Sequence, residues 1–215
     1  MPIKPPFPEL TEAALLAGVD ELARRDADLA RVIDQWGPPP LWARDPGFAT
    51  LIWMILEQQV SLASARAAFV RLETALGEIT PASFLQLDDA TLRSIGFSRQ
   101  KTSYGRYLAE AIVHARFDPY ALAGMDDDAV RAALVRLKGI GPWTAEIYLL
   151  MVLGRPDAWP VHDLAVAVAA QQVKHLEQRP GSEELMVLAE PWRPWRAVAA
   201  RILWHHYLST RNKRT

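Results

Sequence analysis

The chain has 215 residues and no cysteine. That removes disulfides, thiolate zinc sites and iron–sulfur clusters, and makes a reducing, intracellular setting the expectation. Any chemistry must then come from carboxylates, histidines, hydroxyls or the backbone. Neither sign of charge is in excess: 24 Lys plus Arg stand against 25 Asp plus Glu, so the total charge gives no hint of a polyanionic partner. Long apolar runs are missing too. "IYLLMVLG" is far too short to span a bilayer, and the proline-rich opening "MPIKPPFPEL" lacks the apolar core of a signal peptide, so a cytoplasmic protein with no membrane partner is expected. Alternating β-branched runs longer than a few positions are also lacking, whereas helix formers dominate and half the residues are apolar. These features predict an all-α protein with one substantial core or two small lobes that share an interface.

Helix breakers divide the chain. "TEAALLAGVDELARRDADLARVIDQWG" reads as one or two helices closed by Gly37 and the "PPP" at 38–40, a lobe boundary. "PGFATLIWMILEQQVSLASARAAFVRLETALG" gives a helix that is apolar nearly all round, hence buried, turning at Ser61 into a second. A short helix, the cap-like "DDATLRSIG" and a long helix from about Ser98 to Ala115 follow. "MDDDAVRAALVRLKGIG" then repeats an acidic N-terminus, an apolar stripe and a glycine stop. "DLAVAVAAQQV" is a helix with Asp163 at or near its N-cap, and "PWRPWRAVAARILWHHYLSTR" is a last long one.

One segment, "LKGIGPWTAEIYLLMVLGRPDAWPVHD" at 137–163, sets a glycine turn and a carboxylate at opposite ends of an apolar helix. Gly139 and Gly141 bracket Ile140, which can plug a core while the glycines let backbone N–H groups face outward. Pro142 suits the first turn of the next helix. Bare backbone, free N–H groups and a helix N-terminus together make an anion site suited to one phosphate, to which Lys138 and Thr144 add a charge and a hydroxyl. A Gly-x-Gly pair before a helix also serves as a plain tight turn, and Asp163 has an equally plain use as an N-cap.

The whole segment resembles the signature of the helix-hairpin-helix DNA glycosylase superfamily, in which a Leu-x-Gly-Ile/Val-Gly hairpin is followed one helix later by an essential aspartate. Trp-Thr-Ala after the hairpin, with "PWRPWRAVAARILWHHY", makes the chain most similar to the 3-methyladenine DNA glycosylase II branch. "LEQQVSLASA" at 56–65 and "IGFSRQKTSYGRYLAEAI" at 95–112 resemble two further blocks of it. The similarity runs roughly from Asp26 to Ser209. It implies an all-α fold of two helical lobes, one over 46–155 carrying the hairpin and the other made of 1–45 plus 156–215 carrying the catalytic aspartate, with the active-site cleft between them.

Residue by residue, the resemblance puts Asp163 in the catalytic position, Trp143 and Trp204 beside an extruded base, and Ile147 at a pocket position where the larger bacterial form has an aromatic residue. It sets Gly139, Gly141 and Thr144 against a DNA phosphate, to which Lys138 adds its charge, and Gln59 as a wedge in the gap left in the duplex. It also implies a monovalent cation at hairpin carbonyls around Leu137 and Gly139; no other cofactor is expected. The lysine that attacks the sugar in bifunctional relatives is replaced here by Trp143, so no lyase step is expected.

These residues fit the removal of an alkylated purine. Flipping a base costs a few kcal/mol, and stacking on tryptophan returns roughly 1–3 kcal/mol per base. A cationic, electron-poor 3-methyladenine or 7-methylguanine gains more from an indole face than a neutral base does. A fixed carboxylate stabilises the positive charge that develops on the sugar as the bond breaks, and a helix N-terminus favours that anion. The expected protein is a monofunctional N-glycosylase of base excision repair, a monomer acting on damaged double-stranded DNA, bacterial-type and nucleoid-associated when bound. The alternatives are a non-catalytic helix-hairpin-helix DNA-binding module and a glycosylase of the same fold for other damaged bases.

Several residues carry two readings. Arg193, Arg196, Arg201, Arg211, Lys213 and Arg214 make a basic DNA-facing surface or only a solvated helix end, and Arg99, Lys101 and Arg106 touch phosphate or only water. His162 is expected as a corner residue. Trp36, Trp42 and Trp53 are expected in the core, and the adjacent His205 and His206 do not share a helix face for a metal.

Overall fold

The structure, a computed structural model, describes residues 9–212. Helices α1 (Glu12–Arg25), α2 (Ala27–Trp36), α3 (Phe48–Glu57), α4 (Leu62–Leu76), α5 (Pro81–Gln86) and α6 (Asp89–Ile95) lead to the long α7 (Arg99–Val113). Then come α8 (Asp127–Val135), α9 (Pro142–Met151), α10 (Leu164–Val173), α11 (Ser182–Ala189) and α12 (Arg196–Asn212). No strand occurs among the described residues, so the fold is all-α.

Side-chain caps set most of the helix starts. Thr11, Asp26, Ser61, Thr80, Asp88, Ser98, Asp126 and Asp163 each accept a backbone N–H of the first turn that they precede. Asp26 splits the first predicted helical stretch into α1 and α2 by capping the second. The last helix begins at Arg196 and not at Pro191, because Glu190–Trp192 forms a 3-10 turn and Pro194 cannot donate an N–H to a continuing ladder. Helix α11 is an addition to the expected elements: the acidic "SEE" opens it, with Glu184 bonding back to the Gly181 N–H at 2.7 Å.

The chain forms two compact units. One consists of the described residues up to Ala43 together with those from Glu146 onward; the other is Arg44–Ala145. The second unit therefore ends at Ala145 and not at Arg155. Residues after Ala145 are tied into the first unit: Arg201 donates to Leu150 O at 2.8 Å, Leu10 N–H to Gly154 O at 2.7 Å, and Ala197 N–H to Pro156 O at 3.0 Å.

In the first unit α1, α2, α10 and α12 pack around Leu15, Leu22, Leu29, Val166, Val198 and Leu203, all buried. Gly18 lets α1 and α12 approach closely, since a Cβ there would stand 2.8 Å from Val198 Cγ2 and 2.9 Å from Trp195 Cε3.

In the second unit the apolar α3 is buried as expected, through Phe48, Leu51, Ile52, Met54, Ile55 and Leu56. It packs on α4 and α7, and Phe48, Phe84 and Phe97 meet edge to face at 5.6 and 5.5 Å between ring centres.

Candidate active site

Asp163 ends the Pro-Val-His-Asp corner and caps α10. Its Oδ1 accepts the Val166 N–H at 2.9 Å and the Trp204 Nε1–H at 3.1 Å. The carboxylate is 7% exposed, an unusual degree of burial for a residue whose only duty is an N-cap. His162 before it has φ +70, a strained value for a residue with a side chain, and its exposed ring is fixed by a 2.5 Å Nδ1–Oγ bond to Ser182 at the start of α11. The corner is therefore held from both sides of the chain.

Trp204 is 8% exposed and meets the ring of Trp42 edge to face, with centres 6.4 Å apart and planes at 70°. Trp42 also faces His205 at 6.5 Å. Ile147 is buried in α9. The first unit thus brings Trp204 to Asp163 and Trp42 to Trp204; Trp42, expected in the core, is part-exposed. The "PPP" just before it was the one available signal, because a stiff proline strap places whatever follows it.

The second unit holds the hairpin. Gly139 has φ +91, and a Cβ there would stand 2.2 Å from Tyr104 Cδ2, so only glycine fits. Ile140 is buried as the plug expected from the sequence, while Gly139 and Gly141 are part-exposed on either side. Lys138 is exposed and donates to Ser103 Oγ at 3.0 Å. Trp143 is part-exposed, and Thr144 is 3% exposed.

Gln59 has φ +56 and an exposed side chain between α3 and α4, beside the exposed Val60 and Leu62. Its neighbour Gln58, which the sequence reading did not single out, donates Nε2–H to Gly139 O at 2.8 Å and ties this turn to the hairpin. The "QQ" doublet carried that information. The same bond bears on the expected cation: Gly139 O accepts from the Gln58 amide and Leu137 O from the Ile140 N–H at 3.0 Å, so each carbonyl uses one of its two lone pairs within the turn.

The predicted basic surface is mostly a set of internal pairs. Arg193 and Arg196 bind Asp157 at 2.6 and 2.9 Å, and Arg201 is 1% exposed. Arg211 bonds Tyr207, and Lys213 and Arg214 lie outside the described residues. Arg106 pairs with Asp89 at 2.6 Å, and Lys101 donates to Leu56 O at 2.7 Å, where burial lowers its pKa. Arg99 is exposed. Trp53 is half-buried, with its N–H on Glu57 at 2.8 Å and Arg44 over its ring at 5.3 Å. His205 bonds Trp36 O, and His206 bonds Gln172.

A hairpin with a glycine-only turn and a buried carboxylate capping the helix after the next invites comparison with known proteins. A family model described as HhH-GPD superfamily base excision DNA repair protein matches residues 52–194. The chain belongs to the HhH-GPD superfamily. It is 28% identical over 200 residues to DNA-3-methyladenine glycosylase 1 of Schizosaccharomyces pombe, covering 91% of this chain and 86% of that one. The solved structure of the 3-methyladenine DNA glycosylase Mag1 of that yeast, in complex with abasic DNA, superposes with a TM-score of 0.82 at 25% identity over 87% of this chain and 95% of that chain. The crystal structure of a DNA-3-methyladenine glycosidase from Bacillus halodurans gives a TM-score of 0.74 at 28% identity, over 94% and 93% of the two chains. The chain spans 64%, 59% and 56% of the length of three further curated relatives.

Proposed function

We propose that this protein is a monofunctional DNA N-glycosylase that flips alkylated purines out of duplex DNA and hydrolyses their N-glycosyl bond. The observation that carries the reading is the Asp163 carboxylate, buried, capping α10 and held on Oδ1 by the indole N–H of Trp204. A carboxylate fixed against an aromatic ring has the parts that the reaction needs. The ring offers a stacking face, and the carboxylate stabilises the positive sugar that forms as C1′–N breaks and its electrons leave with the base. Water oriented by Asp163 then adds to C1′ and passes its proton to that carboxylate, which returns it to solvent and leaves an abasic site.

The names of the yeast and Bacillus relatives support this substrate class. Trp143 stands where a Schiff-base lysine would be, and the hairpin's Lys138 bonds Ser103, so we read the enzyme as lacking lyase activity. The part-exposed Gly141 backbone and the exposed Lys138 are the phosphate-facing groups of the hairpin, Gln59 the wedge, and damaged double-stranded DNA the partner of a monomer.

The test is to incubate wild type and Asp163→Asn with alkylated duplex DNA, identify free bases by mass spectrometry, and assay strand breaks with and without alkali. Release of 3-methyladenine or 7-methylguanine by wild type alone, with breaks only after alkali, is the expected result. Tight DNA binding without base release would favour a binding module, and breaks without alkali would reject the monofunctional reading.

A further inference from the structure

Trp42 sits in an arrangement that packing alone does not call for. Its φ is +50, in the left-handed region that a bulky L residue adopts at a cost and that tends to mark functional positions. The segment that carries it is anchored on both sides of its entry. Three consecutive prolines, Pro38 to Pro40, stiffen the approach. The carbonyl of Leu41 accepts the Nε–H of Arg201 at 2.8 Å.

Arg201 itself is an unusual anchor. It is 1% exposed, and its guanidinium donates to three backbone carbonyls, those of Leu41, Ala197 and Leu150, at 2.8, 3.0 and 2.8 Å. Arginine presents its five donors in a rigid planar fork, so three fixed acceptors leave it little freedom. A buried cation thus fixes the backbone one residue before a strained, part-exposed tryptophan. That tryptophan meets Trp204, whose indole N–H donates to Asp163.

We propose that Trp42 is a base-stacking residue of this site, forming with Trp204 a two-indole aromatic wall beside Asp163 for an electron-poor alkylated purine. The inference rests on the glycosylase reading above and adds to it a contact that the sequence comparison did not assign. Arg201 is the positioning residue: it holds Leu41, and through it the angle at which Trp42 meets Trp204. An edge-to-face indole pair presents a π face and a neighbouring edge to a planar ligand, and a positively charged ring is drawn to such a surface.

The experiment is single-turnover release of 7-methylguanine from a defined duplex, with enzyme in excess, for wild type, Trp42→Phe and Trp42→Leu. Binding of the same duplex with an abasic site in place of the lesion, and the melting temperature of each variant, are measured alongside. Stacking supplies the expectation: Trp42→Leu loses about ten-fold in release rate and Trp42→Phe no more than about three-fold, while both bind the abasic duplex as wild type does. Equal release by all three proteins overturns the proposal. Equal losses in Phe and Leu that track a lowered melting temperature and weaker abasic-DNA binding also overturn it, because they describe a packing residue. Failure of wild type to release any base is a different result, and it removes the glycosylase reading itself.

Discussion

The indole N–H of Trp204 and the Val166 N–H converge on one oxygen of Asp163, at 3.1 and 2.9 Å. One of these donors is a helix cap and the other is a side chain reaching from α12, so the oxygen that starts α10 is also the one that registers the carboxylate against an aromatic face. Trp204→Phe keeps an aromatic ring, a smaller one, and removes the donor. A hydrogen bond to a charged acceptor contributes about 1.5–3 kcal/mol, so base release is expected to fall roughly ten-fold or more, with affinity for an abasic duplex unchanged. A rate equal to wild type in a single-turnover assay would show that the indole serves the site only by its surface.

Asp163→Asn separates the two duties of the residue. Asparagine caps helices as well as aspartate does, so the unfolding free energy should move by less than about 0.5 kcal/mol. The carboxylate charge is lost, and base release should drop by roughly 100-fold to 1,000-fold, the range found when a preorganised electrostatic group is removed from an active site. Asp163→Ala should add about 1 kcal/mol of destabilisation to the same catalytic loss. Urea titration paired with base release reads both quantities. An Asn variant with near-normal release would leave Asp163 as a cap and nothing more.

The two glycines of the hairpin look alike in sequence and differ in the structure. Gly139 combines φ +91 with a Tyr104 ring 2.2 Å from where a Cβ would be, whereas nothing lies within 4 Å of a Cβ on Gly141. Gly139→Ala is expected to destabilise by about 3 kcal/mol from strain and overpacking together. Adding Tyr104→Ala should restore only the overpacking part, because the backbone strain remains. Gly141→Ala should leave stability unchanged within about 0.5 kcal/mol and weaken DNA binding if that backbone faces a phosphate. Equal stability losses at the two positions, measured by urea unfolding, would reject this division.

Those contrasts mark what was legible in the sequence. Local signals were: the turn at Ser61, the helix start near Ser98, the cap at Asp163 and the buried α3 follow from residue type and periodicity within a few positions. The family blocks around Gln59, Gly139 and Asp163 are local strings as well. Contacts between distant segments were not legible. Nothing near Arg201 says that it binds Leu41 O across 160 residues, where residue type alone points to surface charge, and nothing near Trp42 says that its ring meets Trp204. Arg193 and Arg196 were likewise read by sign alone, while their partner Asp157 stands on another segment.

The same kind of long-range pairing gives the first unit a pH signature. Lys174 donates to Asp26 Oδ1 and Oδ2 at 2.8 and 2.9 Å and to Asp28 Oδ2 at 2.7 Å, and Trp192 Nε1–H reaches Asp26 Oδ2 at 2.7 Å. Burial pushes the Asp26 carboxyl up, but the Lys174 ammonium and the Trp192 N–H outweigh it and hold the group below the usual 3.8. Burial likewise pushes Lys174 down, and its two aspartates outweigh that and hold it above the usual 10.5. A lowered carboxyl stabilises the fold above its unfolded value and loses that contribution as pH falls through the folded value; a raised ammonium stabilises below 10.5 and loses its contribution as pH rises past the folded value. The cluster therefore contributes fully between about pH 4 and 10. Lys174→Met is expected to cost about 2–3 kcal/mol at pH 7, where it leaves Asp26 charged and short of its partner. The gap between variant and wild type should narrow as pH is taken below 3.8, since a protonated Asp26 no longer needs the ammonium. Urea midpoints at pH 7 and pH 3 measure it, and a gap that stays constant between them would mean that Lys174 acts by packing its stem and not by its charge.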